Sequence, residues 1–156
     1  MPPELHPEMD AASEILVARN GELLGAIIVA DILRPEAREA IDALGRMHLT
    51  TVLLTGDAVP VAKSVAGALG IAEVHADLLL EDKRAMVERF VNQSRVVAMV
   101  GDGKNDAPML TAASVGVAMG SGTDVARESA DVVLLGNNLA RFVDTIAIAR
   151  QTRRII

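Results

Sequence analysis

The sequence predicts an α/β fold in which helices cover both faces of a parallel sheet. From about residue 37 onward, short and almost wholly apolar runs alternate with segments of helical periodicity. Strands of this kind are typical of a parallel sheet that is buried on both faces. The chain has 156 residues, 51% of them hydrophobic, which suits one domain with a sizeable core.

The N-terminal part is predicted to be a loop followed by a β-hairpin. Residues 1–13 are rich in proline and acidic residues, and the runs 14–18 and 23–30 flank an Asn-Gly turn signal. The later strands are predicted at 50–54, 73–76, 95–100, 114–119 and 131–135. Helices are predicted at 59–69 (ending at Gly70), at 81–91, from near Arg34 with Pro35 in the first turn, and from about Asn138.

The composition argues against several classes of function. The net charge is -6 and aromatic residues make up only 1%, so a base-stacking nucleic-acid platform is not expected. The absence of cysteine excludes disulfides and cysteine-ligated metals. The longest apolar run, 23–30, is far shorter than the roughly 18 residues of a membrane span, and the N-terminus lacks the pattern of a secretory signal. The chain as it stands is therefore expected to be soluble.

Polar residues follow four of the predicted strands or lie in the loops next to them. They are Asp31, the TGD segment 55–57, Lys83 and the segment GDGKND, 101–106. Loops after parallel strands gather at one edge of the sheet, and carboxylates, a hydroxyl, an ammonium and glycine amides suit Mg²⁺-dependent phosphate chemistry. Taken singly, TGD fits an ordinary turn, Lys83 a solvated charge and Asp31 a helix cap.

The segment GDGKND is harder to explain as structure alone. Asp102 and Asp106 lie four positions apart, and their carboxylates would repel one another unless a cation sat between them.

Several motifs resemble the phosphorylation domain of P-type cation-transporting ATPases. They are TGD, EDK (81–83), GDGKNDAPML (101–110) and VGVAMGSGTDVARESADVVLL (115–135). The segments ADILRPEAREAI (30–41) and ARQTRRII (149–156) most resemble the heavy-metal branch, the copper and zinc/cadmium exporters. The resemblance runs from about residue 14 to the end. It implies the haloacid-dehalogenase-like fold, a Rossmann-like parallel sheet, here with an N-terminal hairpin.

The resemblance also implies roles for individual residues. Thr55, Lys83 and Asn105 would bind the phosphoryl group, and Gly56 and Asp57 would shape the Thr55 loop. Asp102 and Asp106 would be the Mg²⁺ site, while Asp31 and Pro35 match the hinge of the family.

By the same resemblance, residues 14–156 are part of a phosphorylation domain. Residues 14–30 would be the return from a nucleotide-binding domain, and 138–156 a helix leading toward a membrane span. The parent protein would use ATP and Mg²⁺ to export a heavy-metal cation, with this domain at the cytoplasmic face of a membrane. Its partners would be the remainder of the ATPase: the nucleophile strand, the nucleotide-binding domain and the membrane helices.

One motif of the family is missing. The phosphorylated aspartate lies in Asp-Lys-Thr-Gly-Thr, a string that does not occur in this sequence. Without a nucleophile the chain alone is expected to be inactive, and the sheet should have an open slot where that central strand belongs. Two smaller departures are Leu80, where the family usually has proline, and Lys104, which replaces a usually apolar residue.

Two alternatives remain open at the level of sequence. The first is a separate phosphatase of the same fold with Asp31 as nucleophile, although DILRP lacks the second acidic residue that such enzymes use. The second is a non-catalytic partner that binds phosphate or nucleotide, or docks to a split ATPase.

Overall fold

The structure, a computed structural model, describes residues 12–30, 32–102 and 104–155 and confirms the α/β fold. The strands are β1 (Ala12–Arg19), β2 (Glu22–Ala30), β3 (Val52–Leu54), β4 (Glu73–His75), β5 (Ala98–Gly101), β6 (Val115–Ala118) and β7 (Val132–Val133). The helices are α1 (Ala37–Arg46), α2 (Val59–Leu69), α3 (Leu80–Asn92), α4 (Ala107–Ala112), α5 (Asp124–Glu128) and α6 (Ala140–Arg153), and Lys104–Asp106 forms one 3₁₀ turn.

The N-terminal strands form the predicted antiparallel hairpin. Asn20 and Gly21 both have positive φ, 53° and 84°, which is the backbone conformation of the turn that Asn-Gly favours. The structure starts β1 at Ala12, two residues before the expected start, and residues 1–11 of the expected loop lie outside the described part of the chain. The hairpin exposes a large apolar surface formed by Ile15, Leu16, Val17, Leu23, Leu24 and Ile27.

The remaining strands form two separate parallel sheets. Strand β3 pairs with β4, and β5 pairs with β6, which pairs with β7. Within the described residues no ladder joins β3 to β5, so each of these strands has one edge without a strand partner. This is the arrangement expected of a sheet that lacks a central strand.

The core lies on both faces of β6. Val117 packs with Leu44 of α1 and Phe142 of α6, whereas its neighbour Ala118 packs with Leu110 and Ala126 of α4 and α5. Successive residues of a strand point to opposite faces, so one strand serves both clusters. The expected covering of the sheet by helices on both faces is therefore present around β6.

The ends of two elements, α1 and β5, differ from the sequence-based expectations, and the end of α2 agrees with them. Helix α1 begins at Ala37, so Pro35 precedes the helix instead of lying in its first turn. Strand β5 begins at Ala98, three residues late, because only residues 98–101 lie opposite β6, and Val96 is 88% exposed. Helix α2 ends as expected at Gly70, which has a φ of 73°.

Asp31 lies outside the described residues. Its expected hinge role and its role as nucleophile in the phosphatase alternative therefore stay predictions. Among the helices of the described ranges, none is long and apolar enough to cross a membrane.

Candidate phosphate and magnesium site

The first part of the candidate site lies at the carboxyl end of β5. Asp102 follows the strand, and Asp106 ends the 3₁₀ turn just before α4. Asp106 Oδ2 accepts a hydrogen bond of 3.1 Å from the Asp102 amide. A Cβ added to Gly101 would lie 2.7 Å from Asp106 Cβ, so only glycine allows the Asp106 side chain to fold over the end of the strand.

The two carboxylates of this turn differ in their surroundings. Asp106 is half-buried and held by the backbone, whereas Asp102 is exposed, and its carboxylate accepts no hydrogen bond from the described residues. A carboxylate that is exposed at a strand end and accepts no hydrogen bond from the described residues is available to a cation. Asn105, in the turn between them, is exposed, and its side-chain amide makes no hydrogen bond within the same part of the chain.

The second part of the site follows β3. Thr55 Oγ1 donates a 2.7 Å hydrogen bond to Asp57 Oδ2 and accepts one of 3.1 Å from the Asp57 amide. The amides of Asp77 and Leu78 donate to the carbonyls of Asp57 and Thr55, at 2.9 and 3.1 Å. The turn 55–57 is therefore stabilised by hydrogen bonds between Thr55 and Asp57. Further hydrogen bonds connect it to the loop after β4.

The third part is Lys83, in the first turn of α3. The Asp82 carboxylate accepts a 3.1 Å hydrogen bond from the Leu79 amide, which caps the start of the helix. Leu80 is the first residue of α3, a position that also accommodates proline, so the helix can begin there with either residue.

Lys83 is half-buried, and its ammonium forms no hydrogen bond or ion pair with the described residues. The next residue, Arg84, is already paired with Glu88 at 2.8 Å. A partly desolvated cation without a counter-ion favours an anionic ligand, so Lys83 is the better candidate of the two for binding phosphate.

Thr55 and Asp102 each follow the carboxyl end of a parallel strand, but in two separate sheets, and contacts among the described residues do not join the three parts directly. Each helix that connects two parallel strands starts at the carboxyl edge of its sheet. Lys83 lies at the start of α3, and Asp106 immediately precedes α4, which packs against α3. Within the described residues, no hydrogen bond or ion pair links Thr55 or Lys83 to Asp102 or Asp106.

The loop 120–123 also lies against Asp102, although within the motif 115–135 it had been given no role at the site. The Thr123 amide donates to the Asp102 carbonyl at 3.1 Å, and the Met119 amide donates to Gly101 at 2.9 Å. A Cβ on Gly122 would lie 3.3 Å from the Asp102 carbonyl oxygen. The signal available in the sequence was the run Gly-Ser-Gly-Thr directly after an apolar strand.

The residues fit Mg²⁺ only as part of a larger ligand set. Among the described residues there is no group of three His, Cys, Asp or Glu side chains that could hold a metal. Asp102 and Asp106 offer the hard carboxylate oxygens that Mg²⁺ prefers, and further oxygens would have to come from phosphate, water or another segment.

Comparison with known proteins identifies the family. A sequence model of haloacid dehalogenase-like hydrolases matches residues 4–114. Copper-transporting ATPase 2 of Mus musculus is 46% identical over 149 residues, which is 96% of this chain and 10% of that protein. Copper-exporting P-type ATPase B of Enterococcus hirae is 44% identical over 133 residues, which is 85% of this chain and 18% of that protein.

A solved structure agrees with these sequence relatives. A zinc-transporting PIB-type ATPase in the E2.Pi state superposes with a TM-score of 0.81 and 46% identity, over 94% of this chain and 24% of that one. The chain thus spans only 10% to 24% of the length of these relatives. The resemblance to heavy-metal P-type ATPases is confirmed, and the chain belongs to the haloacid dehalogenase-like hydrolase family.

Proposed function

We propose that this chain supplies the Mg²⁺- and phosphate-binding part of an ATP-driven heavy-metal exporter of the P-type class. The observation that carries the proposal is the Asp102–Asp106 turn, in which an exposed carboxylate follows a parallel strand and a second one is held over the strand end. The named activities of the relatives, copper and zinc transport, support a heavy-metal cation as the cargo of the parent protein.

In this proposal Asp102 and Asp106 hold Mg²⁺, which offsets the negative charge of a phosphoryl group when both are bound. Lys83 adds a second positive charge, and the Asn105 amide donates to a phosphoryl oxygen. The Thr55 hydroxyl can turn its proton from Asp57 to a phosphoryl oxygen, exchanging one charge-assisted hydrogen bond of 2.7 Å for another. The Asp57 amide still donates to Thr55 Oγ1 and keeps that oxygen in place.

The nucleophile has to come from outside this sequence, because no aspartate here is followed by Lys-Thr-Gly-Thr. Among the described residues β3 and β5 each have an edge without a strand partner, and one parallel strand between them would pair with both. The carboxyl end of such a strand would emerge between Thr55 and Asp102, where an aspartate could accept phosphate from ATP. Joined to the remainder of an ATPase, this part would lie at the cytoplasmic face of the membrane.

A Mg²⁺ titration followed by backbone amide shifts tests the proposal. We expect weak binding, on the order of millimolar because ligands are missing, with shifts confined to residues 101–106. Asp102→Asn should abolish them and Asp106→Asn should weaken them. Asp42→Asn is the matched control, since Asp42 is exposed and already paired with Arg38 at 3.2 Å. Shifts centred on His48 or His75, or unchanged binding in Asp102→Asn, would contradict the assignment.

A further inference from the structure

Asn137, in the loop between β7 and α6, makes contacts in two directions. Its carbonyl oxygen accepts a hydrogen bond from Arg34 Nη1, in the segment 32–36 that leads from the hairpin to α1. Its side-chain Oδ1 accepts one of 2.7 Å from the Ser121 amide. One residue therefore touches both the segment after the hairpin and the glycine loop behind Asp102.

The two loops joined by Asn137 are in close contact along their backbones. The Gly120 amide donates to the Gly136 carbonyl at 3.0 Å, and a Cβ on Gly120 would lie 2.4 Å from the Gly136 nitrogen. The Gly120 backbone therefore packs directly against the backbone of Leu134 and Gly136 on the side where a Cβ would point. Close packing of this kind gives a shift of the 136–137 backbone a direct route to residues 120–121.

The same glycine loop lies directly against the Asp102 backbone. Thr123 donates to the Asp102 carbonyl at 3.1 Å, and Gly122 lies close enough that a Cβ would be 3.6 Å from Asp102 Cα. Contacts thus run without a break from Arg34 through Asn137 and the loop 120–123 to Asp102.

We infer that Asn137 is a positioning residue that couples the segment 32–36 to the Asp102 carboxylate. A displacement of the segment 32–36 displaces Asn137 through the hydrogen bond from Arg34 to its carbonyl. The hydrogen bond from the Ser121 amide to the Asn137 side chain then displaces the loop 120–123, which supports Asp102. The expected effect on Mg²⁺ binding rests on the proposed function, in which Asp102 is a Mg²⁺ ligand. The coupling between Asn137 and the Asp102 backbone is expected in the protein without metal as well.

Amide NMR of the ¹⁵N-labelled chain, with and without Mg²⁺, tests the coupling. Asn137→Ala should accelerate hydrogen exchange at Ser121 on the order of tenfold and shift the amides of Asp102 and Thr123. It should also raise the Mg²⁺ dissociation constant about tenfold, as removal of a supporting residue behind a metal ligand does. Asn137→Asp keeps the acceptor oxygen and should restore the Ser121 exchange rate.

Two further variants separate coupling from simple loss of stability. Asn138→Ala is the matched control, because Asn138 Oδ1 accepts from the Ala140 amide at the start of α6 and not from the glycine loop. Arg34→Met should change the amide chemical shifts of Ser121 and Asp102 although no residue of the loop 120–123 is altered. Arg34→Lys should change them less.

The inference fails if Asn137→Ala leaves the Asp102 and Thr123 amides unchanged, or if Asn138→Ala shifts them equally. Absence of Mg²⁺ binding in the unmodified chain would instead overturn the proposed function, and the metal-free amide shifts would still decide the coupling.

Discussion

Gly101 and Asp106 approach so closely that a methyl group on Gly101 would begin 2.7 Å from Asp106 Cβ and 2.8 Å from Asp106 Oδ2. Because Gly101 has no side chain, the Asp106 side chain can pack against its backbone. The hydrogen bond from the Asp102 amide to Asp106 Oδ2 depends on that close approach. The position of the Asp106 carboxylate therefore depends on this one glycine.

Gly101→Ala should therefore lower the free energy of unfolding by about 1–3 kcal/mol, because the added methyl group overpacks the turn. It should also weaken Mg²⁺ binding by displacing Asp106. Gly67→Ala in α2 is the matched control, since apart from its chain neighbours and its own helix backbone nothing lies within 4 Å of the added Cβ. That variant should raise stability by about 0.4–1 kcal/mol. Urea unfolding of both variants measures the difference, and a neutral Gly101→Ala would contradict the packing described for the turn.

Lys83 and Arg84 are adjacent cations with different surroundings, so they can be compared directly. Inorganic phosphate with Mg²⁺ should perturb the amides of residues 55–57 and 83, and Lys83→Met should remove this response, because the ammonium is the unpaired charge. Arg84→Met should leave it unchanged, since Arg84 is paired with Glu88 at 2.8 Å. An equal loss in both variants would indicate binding to a diffuse positive surface.

The isolated chain should form no acid-stable phosphoenzyme from labelled ATP. The reason is the missing Asp-Lys-Thr-Gly-Thr segment, because covalent catalysis needs a nucleophile. Label retained after acid precipitation but lost in Asp31→Asn would favour the phosphatase alternative.

A strand that fills the space between β3 and β5 should stabilise the chain. Each backbone N–H or C=O that gains a partner in a partly buried edge is worth roughly 1 kcal/mol, and each kcal/mol raises the melting temperature of a domain of this size by about 2–4 °C. An apolar strand ending in Asp-Lys-Thr-Gly-Thr, fused or added in trans, should therefore raise the melting temperature by several degrees and strengthen Mg²⁺ binding.

Two control strands separate these effects. The same strand with proline at alternate positions cannot donate to the ladder and should not stabilise. The strand with Asn in place of the aspartate should stabilise without strengthening Mg²⁺ binding. If the unmodified chain melts cooperatively as a monomer and no strand changes the transition, the edges of β3 and β5 do not take up a strand.

Much of the fold could be read from local sequence signals. Asn20-Gly21 and Gly70 adopt the positive φ angles that their residue types favour, and α2 has the predicted bounds, because turn chemistry and helical periodicity act within a few residues. The boundaries of β5 could not be read in this way. Val96 and Val97 are as apolar as the residues that follow them, and only the extent of β6 opposite decides that pairing starts at Ala98.

The sequence by itself determined which residues carry charge and hydroxyl groups, that those residues follow apolar strands, and that the nucleophile motif is missing. Only the tertiary structure decided how they are supported: Asp106 is folded over Gly101, Lys83 is half-buried without a counter-ion among the described residues, and the loop 120–123 lies behind Asp102. The physical reason is distance along the chain. Turns and helices depend on neighbours within a few residues, whereas the contact of Thr123 with Asp102 or of Asn137 with Arg34 exists only after separate parts of the chain have packed together.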